Sequence, residues 1–444
     1  MRVKGFRQAG TSKKWGYTHV IMPLALGLAL ALFLVGSATG AGVIMRVSAD
    51  SGGTQASSAS YYSAMSADGR YVVFESTASD LVPGDANGVM DIYKKDTLTG
   101  TTTRVSLTTS GGESNGLSHT PNLSANGRWV TFTSSADNLI GAGDTNGVPD
   151  IFVRDTFLNT TTRVSTSSTG TQGNYASDYS SISADGRYVA FRSYASNLVT
   201  GDTNWVHDVF VKDTFMGATT RVSTSSSGVQ GNDVSLDDVA QFPAISNDGR
   251  YVAFHSWASN LVTGDSNGVA DVFVKDTQTG TTTMASTDSS GTQGDAVSYS
   301  YSISANGRYV AFWSAASNLI TGDSNGTSDV FVKDRNTGAT TVVSSDAAGE
   351  EGYGGSSYLG SLSADGKYVS FNSMATTLVS GDTNSASDVF VKNTGTNAIT
   401  RISLNASAVE GNDASTQDAL SADRRYASFR SIATNLVPSD TNSY

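Results

Sequence analysis

One phrase, Ser-Ala-Asp-Gly-Arg-Tyr-Val-Ala-Phe with its variants, recurs seven times, centred on Gly69, Gly127, Gly186, Gly249, Gly307 and Gly366, with Arg424 in the seventh place. The centres follow one another at a nearly constant step, with the longest interval between Gly186 and Gly249. A period of roughly 60 residues means a repeat architecture, in which no unit buries its apolar surface alone and each packs on its neighbours. Within the first unit every signal is for strands. The segment ending at Gly69 runs a strand into a tight turn, and Arg70 to Ser76 is rich in Tyr, Val and Phe. Asp85-Ala-Asn87-Gly88 turns the chain into a strand from Asp91 to Lys95, Asp96 to Gly100 makes a hairpin, and Thr102 to Ser106 closes the unit. Beyond the N-terminus no apolar pattern keeps helical spacing over three turns. Four short antiparallel strands, repeated seven times, predict an all-β fold: a seven-bladed β-propeller.

The phrases Ser183-Ala-Asp-Gly-Arg-Tyr-Val-Ala-Phe191 and Asp208-Val-Phe-Val-Lys-Asp213 resemble the WD-repeat-like blades of TolB-type bacterial propellers. The likeness covers nearly all of the chain after the N-terminal segment. Two departures stand out: the period is longer than in the TolB repeat, and the α/β domain that precedes the TolB propeller is absent. The resemblance therefore implies the blade design and not TolB itself.

Arg2, Lys4, Arg7, Lys13 and Lys14 precede an uncharged apolar run from Val20 to Gly36, followed by the small residues Ser37 to Ala41. This is the pattern of a secretory signal over residues 1–41, cut near Ala41, with an uncleaved anchor as the alternative. The expected location is extracytoplasmic: secreted, periplasmic or on the cell surface. Residues 42–444 then form one propeller domain. With no cysteine, neither a lipidated N-terminus nor a disulfide framework is available. Cleavage removes five positive charges and takes the net charge from −12 to −17. Such a chain repels nucleic acid and anionic lipid, which leaves membrane contact only to an uncleaved N-terminal segment.

The spacing also suggests how the ring closes. Arg104, Arg163 and Arg401 each begin an Arg-Val-Ser or Arg-Ile-Ser outer strand at one fixed distance ahead of the next centre, at Gly127, Gly186 and Arg424. For Arg221 a longer loop stretches the distance to Gly249. Arg46-Val-Ser48 stands at the same fixed distance before Gly69, so it is expected to be the outer strand of the seventh blade. Judged by the step from Gly69 to Asp91, the third strand of that blade should begin at 446, just past Tyr444. Without it Arg46 to Ser48 would run parallel to the second strand. Either the seventh blade is imperfect or the sequence is part of a longer one, and the second reading is preferred.

At a near-constant distance after each of the first six centres comes Gly-Asp-x-Asn-Gly-x-x-Asp or a variant of it. Its full forms are Asp85/Asn87/Asp91, Asp144/Asn146/Asp150, Asp265/Asn267/Asp271 and Asp323/Asn325/Asp329. Degenerate forms stand at Asp202/Asn204/Asp208, where Trp205 replaces the glycine, and at Asp382/Asn384/Asp388, with Ser385 there. Oxygens at positions 1, 3 and 7 resemble the first half of a calcium loop. The same residues also make an ordinary turn through side-chain bonds to their own backbone. A calcium site built on them would be weak, with a Kd of about 10⁻⁴ to 10⁻³ M, and best formed in blades one, two, four and five.

Strand alternation puts these loops and the blade-to-blade segments on one face, and the Asp-Gly-Arg turns and Lys-Asp-Thr hairpins on the other. Tyr61, Tyr62, His119, Tyr179, Phe242, Tyr299 and Tyr358 stand shortly before the centres, where each innermost strand begins. They are candidate ligand-binding residues at the channel mouth, suited to a sugar or a peptide. They could equally pack between blades.

Enzyme signatures are weak. Gly112-Glu-Ser114-Asn-Gly116 spells G-x-S-x-G but lacks the strand-turn-helix context of a nucleophile elbow. His19, His119, His207 and His255 show no repeated spacing for a metal or a triad. The Asp-box spacing of sialidase propellers is absent. Asp233, Asp237 and Asp238, in the longest blade-to-blade loop, are the one unrepeated acidic cluster. The expectation is a non-enzymatic binding propeller presenting an acidic loop face to a protein or polysaccharide. A propeller hydrolase or lyase acting at the channel mouth is the alternative.

Overall fold

The computed structural model describes residues 29–34, 43–141, 143–237 and 242–441. They form seven four-stranded antiparallel sheets. Blade one consists of Ser60–Met65, Tyr71–Ser76, Asp91–Asp96 and Thr102–Arg104, from the axis outwards, and its second and third strands pair from Ser76 opposite Asp91 to Tyr71 opposite Asp96. Blades two, three, five and six repeat this plan. Blade four differs at the axis: its innermost strand is only Ala244–Ile245, preceded by a longer loop.

The alternation of the second strand explains how blades join. Val72 and Phe74 pack with Val47, Met45 and Tyr426 of blade seven, while Val73 on the opposite face packs with Leu123, Val130 and Phe132 of blade two. Phe74, Phe132, Phe191, Phe254, Phe312 and Phe371 are fully buried at equivalent places, and each contributes on the order of 2 kcal/mol. The repeat centre serves the same joint. Gly249 has φ +74°, and a Cβ there would lie 2.2 Å from the ring of Tyr188 in blade three. Only glycine fits both the turn and that ring.

A buried cation ties successive blades together. Lys275 sends its Nζ to the carbonyls of Thr224 (3.1 Å) and Ser225 (2.9 Å) in the preceding blade segment. Lys95, Lys212, Lys333 and Lys392 do the same one blade apart, with Arg154 in blade two. Buried carbonyls thereby gain partners.

The seventh sheet has the order Ile44–Arg46, Ala29–Leu34, Tyr426–Ser431, Ser415–Leu420. The N-terminal strand Ile44–Arg46 thus closes the ring, as its spacing predicts. The third-strand place expected at 446 is taken by Ala29–Leu34, antiparallel to both neighbours, with Ala29 opposite Ser431 and Ala31 opposite Arg46. The rest of the expected signal segment, including Ala41, lies outside the described residues, as do Asp238 and Tyr444.

Candidate functional site: the loop face and the channel mouth

The Asp-x-Asn-Gly-x-x-Asp loops share one local design. In blade one, Asn87 accepts the backbone N–H of Val89 at its Oδ1 (3.1 Å) and donates its Nδ2 to Asp91 Oδ2 (2.8 Å) and to the Ser114 carbonyl (3.1 Å). Asn146, Asn204, Asn267, Asn325 and Asn384 repeat the bond to the second aspartate. The asparagine oxygen that the sequence offers to a cation therefore serves the turn instead. What remains for a cation is carboxylate oxygen. The second aspartate is buried in every described copy, where it accepts the N–H of this amide and a serine hydroxyl: Ser106 to Asp91, Ser165 to Asp150, Ser286 to Asp271 and Ser344 to Asp329.

Two further positions complete the site, and sequence reasoning missed both as members of it. The first is the arginine of the outer strand, brought opposite the third-strand aromatic by the sheet register, as Arg104 is to Tyr93. The second lies further along the chain, on a short blade-to-blade bridge such as Leu107 to Glu113 or Thr166 to Gln172. In blade one the Arg104 Nη1 lies 3.2 Å from Asp85, 3.4 Å from Asp91 and 2.5 Å from Glu113. In blade six Arg401 lies 3.6 Å from Asp382, 3.2 Å from Asp388 and 2.7 Å from Glu410. Arg163 and Arg221 hold the pairs of blades two and three, where Gln172 and Gln230 donate to the same aspartates. Arg46 meets Asp440 at 3.3 Å in blade seven.

Blades four and five lack that arginine. Met284 and Val342 stand in its place, opposite Phe273 and Phe331. In blade four the neutral Gln293 bridges Asp265 (2.8 Å) and Asp271 (2.7 Å). In blade five the bridging residue is Glu351. Asp323, Asp329 and Glu351 each bring one carboxylate oxygen within 4.8 Å of the others. Burial, together with the charges of Glu351, Asp329 and Asp295, pushes Asp323 up to about 6. One Glu351 oxygen is buried with no hydrogen-bond partner among the described residues, while the other accepts the N–H of Ser324 at 3.1 Å. Of the four loops with the full pattern, those of blades one and two thus hold an arginine among their carboxylates, and those of blades four and five do not.

The channel mouth gathers the positions at which the repeat stops repeating. Between the second-strand phenylalanine and serine stand Glu75, Thr133, Arg192, His255, Trp313, Asn372 and Arg430. Glu75 is 4% exposed, accepts the Thr120 N–H at 2.6 Å, and is pushed up to about 7 by burial against the opposing pull of Arg430. Arg192 donates to both Asp178 oxygens (2.7 and 2.8 Å) and to the Leu236 carbonyl (2.8 Å). His255 is fully buried, 3.2 Å from Asp237, and burial holds its pKa down. Trp257 Nε1 donates to the other Asp237 oxygen at 2.8 Å.

The seven candidate aromatic and histidine positions divide into groups. Tyr62, Tyr179 and Phe242 converge on the channel, with centroids 6.0 Å apart for Tyr62 and Phe242 and 5.1 Å for Tyr179 and Phe242. Bulges in the inner strands at Tyr61/Ser63 and Asp178/Ser180 set aside Tyr62 and Tyr179 from the ladder. Tyr299 packs between blades, stacked on Trp313 at 4.6 Å and edge-on to His255 at 4.8 Å. Tyr358 meets Trp313 edge-on and is 36% exposed. Tyr61 lies beneath Arg430, and His119 is half-buried beside Thr133. Of the acidic cluster, Asp237 joins the mouth, whereas Asp233 caps its own loop by accepting the Val234 N–H. Ser114 of the G-x-S-x-G segment is buried and donates to Asp91, so it belongs to the loop and not to a nucleophile elbow.

No protein-family model and no curated protein matches the sequence. Solved structures with a similar fold include TolB from Acinetobacter baumannii, at 19% identity over 71% of this chain and 63% of that one, with a TM-score of 0.35. An oligogalacturonate lyase in complex with manganese is 11% identical over 91% of this chain and 96% of that one, with a TM-score of 0.49. The β-propeller domain of the trilobed protease from Pyrococcus furiosus is 9% identical over 86% of this chain and 98% of that one, with a TM-score of 0.48. The chain spans less than two thirds of the Acinetobacter protein. TolB, a lyase and a protease domain thus stand side by side among these structures.

Proposed function

We propose that the protein is an extracytoplasmic, non-enzymatic binding propeller whose ligand, a polysaccharide or an extended protein segment, docks over the channel mouth. The observation that carries this reading is the convergence of the unrepeated side chains, from Glu75 to Arg430, on one end of the axis of an otherwise uniform repeat. The buried members shape the rim from below, and Trp313 with the exposed Tyr358 offers the surface a ligand would meet, whereas packing alone would favour repetition there. The charged members face one another, as Arg192 faces Asp178 and Asp237 faces His255. A nucleophile with a base and an oxyanion site is not assembled from them. Extracytoplasmic location rests on the basic and apolar N-terminal pattern; among the described residues no helix is long and apolar enough to cross a membrane.

Retention on insoluble polysaccharides and on immobilised envelope proteins tests the reading. A Trp313→Ala/Tyr358→Ala variant should lose binding at least tenfold, while Phe157→Ser/Phe215→Ser on the hairpin face should not. Equal loss from both faces contradicts it, as does turnover of the polysaccharide that disappears with Asp237→Ala.

A second reading concerns blade five. Where four sister loops hold a guanidinium among their carboxylates, blade five presents three carboxylates with Val342 in place of the cation. A bound calcium ion, completed by carbonyls and water, supplies the missing charge at this loop and, through it, orders the loop face. Manganese is the alternative ion for the same oxygen donors.

A further inference from the structure

Bordered by Tyr62 and Phe242, the axis opens into a chamber of about 230 Å³, to which all seven blades contribute. Among the described residues its wall carries no charged side chain. It alternates hydroxyl and amide groups, at Ser63, Asn122, Ser181, Ser302 and Ser361, with apolar surface such as Ile182, Ile245 and Ile303. Ser302 and Ser361 accept the backbone N–H groups of Leu362 (3.1 Å) and Leu420 (3.3 Å), which leaves their hydroxyl protons free to be donated inwards. Ser181 is 8% exposed, and its Oγ has no partner among the described residues. A buried hydroxyl without a partner costs free energy that a bound oxygen would recover.

Charge narrows the occupant further. An anion entering the chamber would lose hydration and find no counter-charge, because the nearby Arg192 is already engaged with both oxygens of Asp178. Among the described lining residues a metal ion would find hydroxyls but no carboxylate. The volume lies below the roughly 300 Å³ at which pockets for larger ligands begin, so the chamber suits one ring and not a chain. From these observations we infer that the chamber binds a single neutral sugar ring, the terminal unit of the polysaccharide that docks at the mouth. Its C–H faces lie on the isoleucines and its hydroxyls exchange hydrogen bonds with Ser181, Ser302, Ser361 and Asn122.

This inference rests on the channel-mouth reading, and its test separates the two. Calorimetry on the full chain with glucose, galactose, mannose and N-acetylglucosamine, against glucuronate as the charged control, should show saturable binding of at least one neutral sugar and none of glucuronate. Ser181→Ala should weaken that binding roughly fivefold, the loss of one hydrogen bond. Ser181→Leu, which fills the chamber, should abolish it. Near-UV circular dichroism checks the fold of both, and the alanine variant carries the test if the leucine variant does not fold. No binding of any neutral sugar, equal binding of glucuronate, or binding unchanged in Ser181→Ala would overturn the inference. If insoluble polysaccharide is still lost on Trp313→Ala/Tyr358→Ala but is indifferent to both Ser181 variants, the mouth reading stands and the chamber inference falls.

Discussion

Blade one and blade five carry the same loop, Gly-Asp-x-Asn-Gly-x-x-Asp, with a glutamate on the same bridge, and differ in the side chains that meet its acids: Arg104, Tyr93 and Ser114 in blade one, the last two hydrogen-bonded to Asp85 and Asp91, against Val342, Phe331 and Gly352 in blade five. In blade one Arg104 stands among Asp85, Asp91 and Glu113; in blade five Val342 leaves Asp323, Asp329 and Glu351 facing one another. The difference teaches that the loop is a cation cage whose cation is usually built in. A buried carboxylate cluster is costly to leave uncompensated. The guanidinium of blade one and the neutral Gln293 amide of blade four are two solutions to one electrostatic problem, and blade five, which has neither, is where the proposed cation would act.

The sharpest way to break the comparison is to turn a filled cage into an empty one. Arg401→Val leaves Asp382, Asp388 and Glu410 as blade five leaves its three acids, and it should cost about 3 kcal/mol in urea unfolding without calcium. Millimolar calcium should restore part of that loss. A cost below about 0.5 kcal/mol, no more than a solvent-exposed ion pair is worth, would mean that the arginine does not neutralise the cage. A loss indifferent to calcium would mean the same. The converse change, Val342→Arg, places a guanidinium in blade five where blade one has Arg104. It should add about 1 to 2 kcal/mol in the absence of calcium and remove the response of thermal unfolding to calcium.

A smaller effect comes from mass action. With a Kd near 10⁻³ M, calcium at about 10 mM should stabilise the protein by about 1.4 kcal/mol, a rise of roughly 2 °C in Tm. Gln293→Glu gives blade four a third carboxylate beside Asp265 and Asp271, and should raise the calcium stoichiometry from one to two. A further effect is in pH. Asp323 is raised to about 6, so the folded state holds its proton more tightly than the unfolded chain, and this contribution is lost as pH rises from about 4 through 6. Glu75, raised to about 7, adds a similar fall that calcium does not touch. Calcium should therefore flatten only the Asp323 part, and Glu351→Gln should abolish that flattening.

The blades were legible because their signals are local: the Asp-Gly-Arg turn, the Tyr-Val-Ala-Phe strand and the fixed distance from Arg46 to Gly69 all act over short stretches. Half of the cage was legible for the same reason. The rest was not, because Arg104 reaches Asp91 only through the register of the third and outer strands, and Glu113 only through a blade-to-blade bridge beyond the outer strand. The mouth hid differently. Glu75, Arg192, Trp313 and Arg430 follow no residue pattern of their own, although one variable position in an otherwise constant Phe-x-Ser phrase is a signal in its own right. The third strand of blade seven shows the opposite limit: its place was foreseen, but Ala29–Leu34 entered it from a segment that reads as a secretory signal.

Calcium calorimetry on the full chain, compared with Glu351→Gln, tests the cage account most directly. The account predicts one site per chain with a Kd of about 10⁻⁴ to 10⁻³ M, lost in Glu351→Gln and untouched by Glu113→Gln in the arginine-filled blade one. Binding that survives Glu351→Gln, or a protein that takes up no calcium at about 10 mM, ten times the weakest Kd expected, would contradict it.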